Sequence, residues 1–285
     1  MSAALCDAKC HEHLRSVPQI SAPRSVSVAQ GQSARLLARL RRVRPGHGLF
    51  HGGLGTTLRQ RALRQEALTI GAQGGLYYRS RQINHYLGLV APELNGVFSF
   101  APLMIRGSVL PPIIARVSPV SHLDAGGLSL VQVRAVYRIL APARLVSVTP
   151  TWRTRLEMPT RKPRPQDIPL ALLPHSSRER VMWARTVDRG WVAGVRQADF
   201  LFRERVRRLR RAILGRLLFL RLANAGFVSV PRLAQGRYGI QVGAQVLRDG
   251  VRLFRVTAPA RFLATPGWRA PVVFARRLRG GSPHD

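Results

Sequence analysis

The stretch VDRGWVAGVRQADFLFRERVRRLRRAILGRLLFL, from Val187 to Leu220, decides how the rest of the chain is read. Its apolar residues fall at 187, 191, 195, 198, 202, 206, 209, 213, 217 and 220, in steps of 4, 4 and 3 repeated three times. The mean step of about 3.67 residues lies close to the helical period, so a single stripe runs straight along one face. The spacing predicts a near-continuous amphipathic helix over 187–220. Gly190 and Gly194 either weaken its first turns or permit close packing there, and Gly226 is placed to end it.

Beyond that helix, Ala244 to Leu247 and Val251 to Val256 flank Asp249-Gly250, a pair that reads as the turn of a β-hairpin. The segment from 266 to 285 is Gly/Arg-rich and reads as a flexible tail. Toward the N-terminus, five prolines between Pro159 and Pro174 mark a connector. Val146-Ser147-Val148 and the partly alternating run Leu130 to Leu140 read as strands. Pro111-Pro112 favours extended backbone before Ile113 and Ile114, and Val97 to Ile105 is a strand-like apolar run. Thr56 and Thr57 are placed to cap a helix that carries Leu63, Ala67 and Ile70, meets Gly74-Gly75, and resumes through Tyr78 to Tyr86. Residues 1–56 read as an irregular, basic, glycine-rich arm. The expected fold is α+β: one domain over 57–265 with a helical N-terminal part, a small mixed or antiparallel sheet, the long helix and a C-terminal hairpin.

The charge is extreme. The 285 residues carry 46 basic against 13 acidic side chains, a formal net charge of +33, and only Lys9 and Lys162 among the cations are not arginine. Such a chain is drawn to any polyanion. Arginine replaces lysine in every segment, as a GC-rich genome alone would produce, so codon bias and a dedicated nucleic-acid role both account for it. The eight arginines between Arg203 and Arg221 lie off the apolar stripe and read as a solvated or protein-docking face, because no aromatic stacking platform accompanies them. No apolar run is long enough for a membrane-spanning helix.

Motifs for catalysis are wanting. Cys6, Cys10, His11 and His13 lack the spacing of a zinc site and read as part of a loose tail. Gly52 to Thr57 lacks the lysine of a phosphate loop, Gly127 to Val131 is one glycine short of a nucleophile elbow, and neither HExxH nor GxGxxG occurs. No cofactor is expected. Trp152, Trp183, Trp191, Tyr77 and Tyr78 are candidate interface anchors, with ordinary core as the alternative.

These residues, taken together and in order, resemble the DotC/TraI family of type IVB secretion and related conjugation systems. EALTIGAQGGLYYRSRQIN (Glu66 to Asn84) is similar to its opening block. FSFAPLMI (Phe98 to Ile105), VLPP (Val109 to Pro112), ARLVSVTPTWRTRL (Ala143 to Leu156), LLP (Leu172 to Pro174) and GWVAGVRQAD (Gly190 to Asp199) follow in the family's order. GIQVGAQVLRDGVRLFRVT (Gly239 to Thr257) resembles its closing hairpin. The resemblance spans about residues 58 to 265. It implies a non-catalytic outer-membrane lipoprotein on the periplasmic face, a subunit of a multimeric ring that helps assemble or localise channel-forming partners similar to DotD and DotH. The alternative is a basic nucleic-acid-binding protein. The signature and interface candidates are Gly71, Gln73, Gly74, Gly75, Asn84, Pro111, Pro112, Trp152, Arg153, Trp183, Gly190, Trp191, Gly194, Gln197 and Asp249. The candidate lipidation site is Cys6. Ala3-Ala4-Leu5-Cys6 has leucine where a lipobox has a small residue, and a start further upstream would supply the missing apolar leader.

The helical reading makes a direct prediction. Val206→Pro removes a backbone donor and clashes with the preceding turn, so it should cost about 3 kcal/mol or more in denaturant unfolding. Wild-type melting of this variant would contradict the helix.

Overall fold

The computed structural model describes residues 30–43, 56–117, 120–123, 130–133, 136–238, 241–242, 247–248 and 251–263. Its helices are α1 (Gln30–Arg41), α2 (Thr56–Leu89), α3 (Ala91–Val97), α4 (Arg153–Leu156) and α5 (Ser177–Asn224). Its strands are β1 (Val109–Leu110), β2 (Ile113–Val117), β3 (Val120–Leu123), β4 (Leu130–Val133), β5 (Val136–Ala141), β6 (Arg144–Leu145), β7 (Arg232–Tyr238), β8 (Gln241–Val242), β9 (Leu247–Arg248) and β10 (Val251–Ala258). The fold is α+β, two long helices with short antiparallel strand pairs.

The apolar stripe is part of α5, and all but Trp191 and Val195 of its ten positions are buried. The helix starts ten residues before the stripe. Ser176 caps it: its Oγ accepts from the Glu179 backbone N–H at 3.1 Å, and the Glu179 carboxylate accepts from the N–H groups of Ser176 and His175. This capping box satisfies two otherwise orphaned donors. At the other end Gly226 adopts φ +76°, the left-handed turn that glycine enters without a Cβ penalty.

The second long helix, α2, corrects the expectation of a break. Gly74-Gly75 lies within a continuous helix of 34 residues. Helix α1 is a further correction to the expectation of an irregular arm over residues 1–56. Its Leu40 is fully buried and packs with Leu63, Ala67, Ile70, Trp183 and Val187. The basic stretch is therefore an amphipathic helix docked on α2 and α5. Gly46 to Gly55 and Cys6 lie outside the described residues.

The strands form two hairpins. β2 pairs with β5 and β3 with β4, all antiparallel, and from Ile114 onward in one register, so Leu130 to Leu140 is the returning limb of a long arm. β7 pairs with β10 and β8 with β9, again in one register. The second reversal therefore falls between Val242 and Leu247. Asp249-Gly250 lies outside the described residues; the strands on either side of it, β9 and β10, pair with β8 and β7 and not with each other. Two other strand readings fail for identifiable reasons. Within 97–105, Pro102 has no N–H for a ladder, and Ala101–Leu103 is a 3-10 turn. Val146 makes only one strand-like bond, to the Ser108 carbonyl, before Thr149-Pro150; the paired residues there are Arg144 and Leu145.

The main core gathers Phe98, Phe100, Leu103, Leu110, Ile114, Trp152 and Leu156 against Phe202, Leu209, Ile213 and Phe219 of α5. Each such side chain contributes about 1.5–3 kcal/mol on burial. A smaller cluster joins α1, α2 and the first half of α5.

Burial alone would raise the Glu179 carboxyl. The backbone N–H of His175, the side chain of Arg59 and the backbone of Ser176, together with the Arg59 charge, outweigh it and hold the group below its ordinary 4.5. A depressed carboxylate contributes stability that is present above the unfolded value and lost as pH falls through the folded one. Glu179→Gln should therefore be less stable than wild type by about 1 kcal/mol near neutrality, and the gap should narrow once the pH is lowered below the ordinary 4.5. Denaturant unfolding above and below that value checks this. A pH-independent gap would contradict it.

Candidate functional site

Helices α2 and α5 run parallel and in step. Arg59 bonds Glu179 at 3.2 Å and Arg79 bonds Asp199 at 2.7 Å, each pair 120 residues apart in sequence. Twenty residues of one helix thus match twenty of the other, about 30 Å of shared length. Between these ion pairs the backbones meet at glycine. A Cβ on Gly71 would collide with the carbonyl of Val187, one on Gly75 with that of Trp191, one on Gly190 with that of Leu68 and one on Gly194 with that of Ala72, all inside 3.0 Å. Four of the signature glycines are therefore one device: two G-x-x-x-G faces laid against each other. Gly74 serves it differently. Its missing side chain leaves room for Leu40 of α1 and the indole of Trp191.

Trp191 sits over this contact. Its ring stacks on Tyr78, with centroids 5.5 Å apart. Tyr78 accepts a hydrogen bond from Gln82 Nε2, and Gln82 Oε1 in turn accepts from Arg79 Nη1. A polar chain thus runs from Asp199 through Arg79, Gln82 and Tyr78 to the stacked indole. Tyr77 lies along α2 beside it, with Arg81 over its ring. Gln73 and Gln197 are both exposed and line one shallow groove between the helices, with Leu68, Thr69, Ala72 and Leu76.

Other candidates lie elsewhere. Trp152 is 3% exposed, and its Nε1 donates to Asn95 Oδ1 at 2.8 Å. Its indole fills this chain's own core, the second of the two readings that its residue type leaves open. Trp183 is fully buried and donates to the Leu40 carbonyl at 2.9 Å, so it fastens α1 and is likewise no surface anchor. Arg153 is exposed over the Trp152 ring at 4.6 Å. Asn84 exchanges two hydrogen bonds with the Met158 backbone, at 2.9 and 2.8 Å, in the manner of a strand pair. Pro111 and Pro112 are buried between β1 and β2. Cys6 and Asp249 lie outside the described residues. Among the described residues no three His, Cys, Asp or Glu side chains form a metal-ligand set, and no helix is long and apolar enough to cross a membrane.

The arginines of α5 are not uniformly solvated. Arg203, Arg207, Arg208, Arg211 and Arg221 are exposed, Arg205 and Arg210 are half-buried, and Arg216 is buried. Sequence periodicity missed Arg216 because it is a charge on the inner side of the helix.

Residues 57–270 match the family model of the TraI component of the type IV secretory system, described as conjugal DNA-protein transfer. No curated protein matches the chain.

The backbone contact has a sharp consequence. Gly194→Ala should destabilise by about 1–3 kcal/mol or more, because a fixed carbonyl has to move. Gly88→Ala, with nothing within 4 Å of its added Cβ, should stabilise by about 0.4–1 kcal/mol. Thermal unfolding of both variants checks the contrast. Equal effects would mean the helices are not in backbone contact.

Proposed function

The chain belongs to the TraI family of type IV secretory systems, and on that premise we propose that it is a non-catalytic structural subunit of the outer-membrane core complex of a type IVB-like secretion or conjugative transfer system. It stands on the periplasmic face of the outer membrane within a multimeric ring. There it helps assemble or localise channel-forming partners, DotD-like and DotH-like subunits among them. Cys6 is its candidate lipid anchor.

The observation that carries this reading is the pair of hairpins. Among the described residues each is only two strands wide, so its outer edges have no third strand. An isolated two-stranded ribbon is marginal in water, and an open edge accepts a strand from another chain. These ribbons also expose apolar side chains, with Leu140 at 47% and Leu253 at 50%, alongside Tyr137 and Phe254. Meanwhile Trp152 and Trp183 are spent on internal packing, so the ribbons are the better candidates for partner contact. Docking of this kind breaks no bond.

The charge of +33 and the family's description as conjugal DNA-protein transfer favour a second reading, a nucleic-acid-binding role. Phosphate-driven binding weakens by about 10³ to 10⁵ between 50 and 200 mM salt when six to ten contacts form. Co-expression with the cognate outer-membrane subunits should give a complex that survives 200 mM salt, while DNA binding fades without sequence preference. Leu140→Asp with Leu253→Asp should leave melting within about 1 kcal/mol of wild type and lower co-purification at least about tenfold, as expected when charge enters a desolvated contact. Tight, sequence- or structure-selective DNA binding at 200 mM salt with no membrane partner would overturn the assembly reading.

A further inference from the structure

Two guanidinium groups, those of Arg216 on α5 and Arg155 on α4, lie against the Phe100 ring, and among the described residues neither has a carboxylate partner. Arg216 is 3% exposed. Its guanidinium lies 5.7 Å from the centre of the Phe100 ring, and that of Arg155 from α4 lies 5.6 Å from the same centre. Arg216 Nη1 donates to the Ala212 carbonyl at 2.6 Å. Its Nε, and the Nε of Arg155, are buried without a hydrogen-bond partner. Burial, then the like charges of Arg155 and Arg144, push Arg216 down to about 10. Burial and Arg144 also lower Arg155. Arg216 nevertheless stays protonated at neutral pH. The charges that bear on it have its own sign, and no carboxylate among the described residues pairs with it.

A buried cation without an anion is costly, and contact with one aromatic ring offsets only part of that cost. An Arg fork presents parallel N–H donors that match the oxygens of a phosphate group. Two such forks and a third cation at the exposed rim, Arg144, suit a dianion better than a single carboxylate charge.

We propose that Arg216, Arg155 and the nearby charge of Arg144 form a binding site for a phosphate group, seated beside Phe100 where α4 packs on α5. The site is separate from the hairpin edges and does not depend on the assembly role. Its ligand is a free phosphate or the headgroup of a phospholipid. It differs from the general polyanion attraction of the surface because two of its donors, the Nε atoms of Arg216 and Arg155, are buried without a hydrogen-bond partner.

The test is calorimetric titration of the full chain with inorganic phosphate at 200 mM sodium chloride, where surface attraction is screened. Saturable binding of one phosphate per chain is expected. Arg216→Met should weaken it at least about tenfold, the loss of a charge-assisted bidentate contact, while the exposed Arg203→Gln should change it less than about twofold. Arg216→Met should also melt no lower than wild type in phosphate-free buffer, because it removes an uncompensated buried charge. Should that variant fail to fold, Arg155→Gln carries the same comparison. Competition by phosphatidylglycerol vesicles in wild type, lost in Arg216→Met, would assign the phosphate to lipid. Vesicle binding that neither competes nor changes in the variant would assign it to free phosphate. Absence of saturable binding, or binding that Arg216→Met and Arg155→Gln both leave intact, would overturn the proposal.

Discussion

Two helices can lie backbone against backbone only where neither carries a Cβ at the contact. Gly71 and Gly75 on α2 and Gly190 and Gly194 on α5 meet that condition together, and the rest of the structure follows from it. The glycines cost helix propensity, each about 0.8–1 kcal/mol relative to alanine. What offsets the cost is dense packing along the seam and the ion pairs that bracket it, Arg59 with Glu179 and Arg79 with Asp199. The Arg79 pair is mostly buried, so water screens it less than an exposed bridge.

A parallel pair forces the chain between the helices to travel back along their length. The segment from Ala91 to Ser176 does so, and on the way it supplies the main core: Phe98, Phe100, Leu110, Ile114, Trp152 and Leu156 all pack toward α5. The base of the first hairpin is seated by another absent side chain. A Cβ on Gly215 would stand 2.9 Å from the Ile114 carbonyl oxygen, so β2 crosses α5 at that point. The second hairpin leaves from the end of α5, closed at its base by bonds between Ser229 and Arg261 and from Leu263 to Phe227. A helical spine thus holds two β ribbons, each two strands wide among the described residues.

The long helix was legible because ten apolar positions keep one period, and a period of that length has no competing reading. Its true start was written in Ser176 and Glu179, a capping box that lies outside the apolar stripe and so escaped a reading based on periodicity. The α2 glycines were recognised as part of a family signature, but local propensity gave them the wrong meaning. Only the partner helix reveals that Gly74-Gly75 is a contact and not a break. A turn dipeptide such as Asp249-Gly250 states what a chain can do locally, while the pairing of the strands beside it, β9 with β8 and β10 with β7, is set along the ladder. Helix α1 was hidden by its arginines, since its buried face rests mainly on Leu36, Leu37 and Leu40. The roles of Trp152 and Trp183 could not be separated from those of surface anchors by residue type, because burial is a property of the assembled core.

The central claim is that α2 and α5 lie parallel, in step and in backbone contact. Pulsed electron-spin distance measurement tests it most directly, on full-length chains with Cys6 and Cys10 replaced and two labels introduced. One chain would carry labels at Arg61 and Val181, which line one end of the helix pair, and another at Gln73 and Gln197, which line the groove farther along. The account predicts a single short distance for both pairs, with the crossed pair Arg61 and Gln197 longer by roughly the 1.5 Å rise per residue over the intervening turns. One short and one long distance, as an antiparallel pair would give, or broad distributions at both positions, would contradict it.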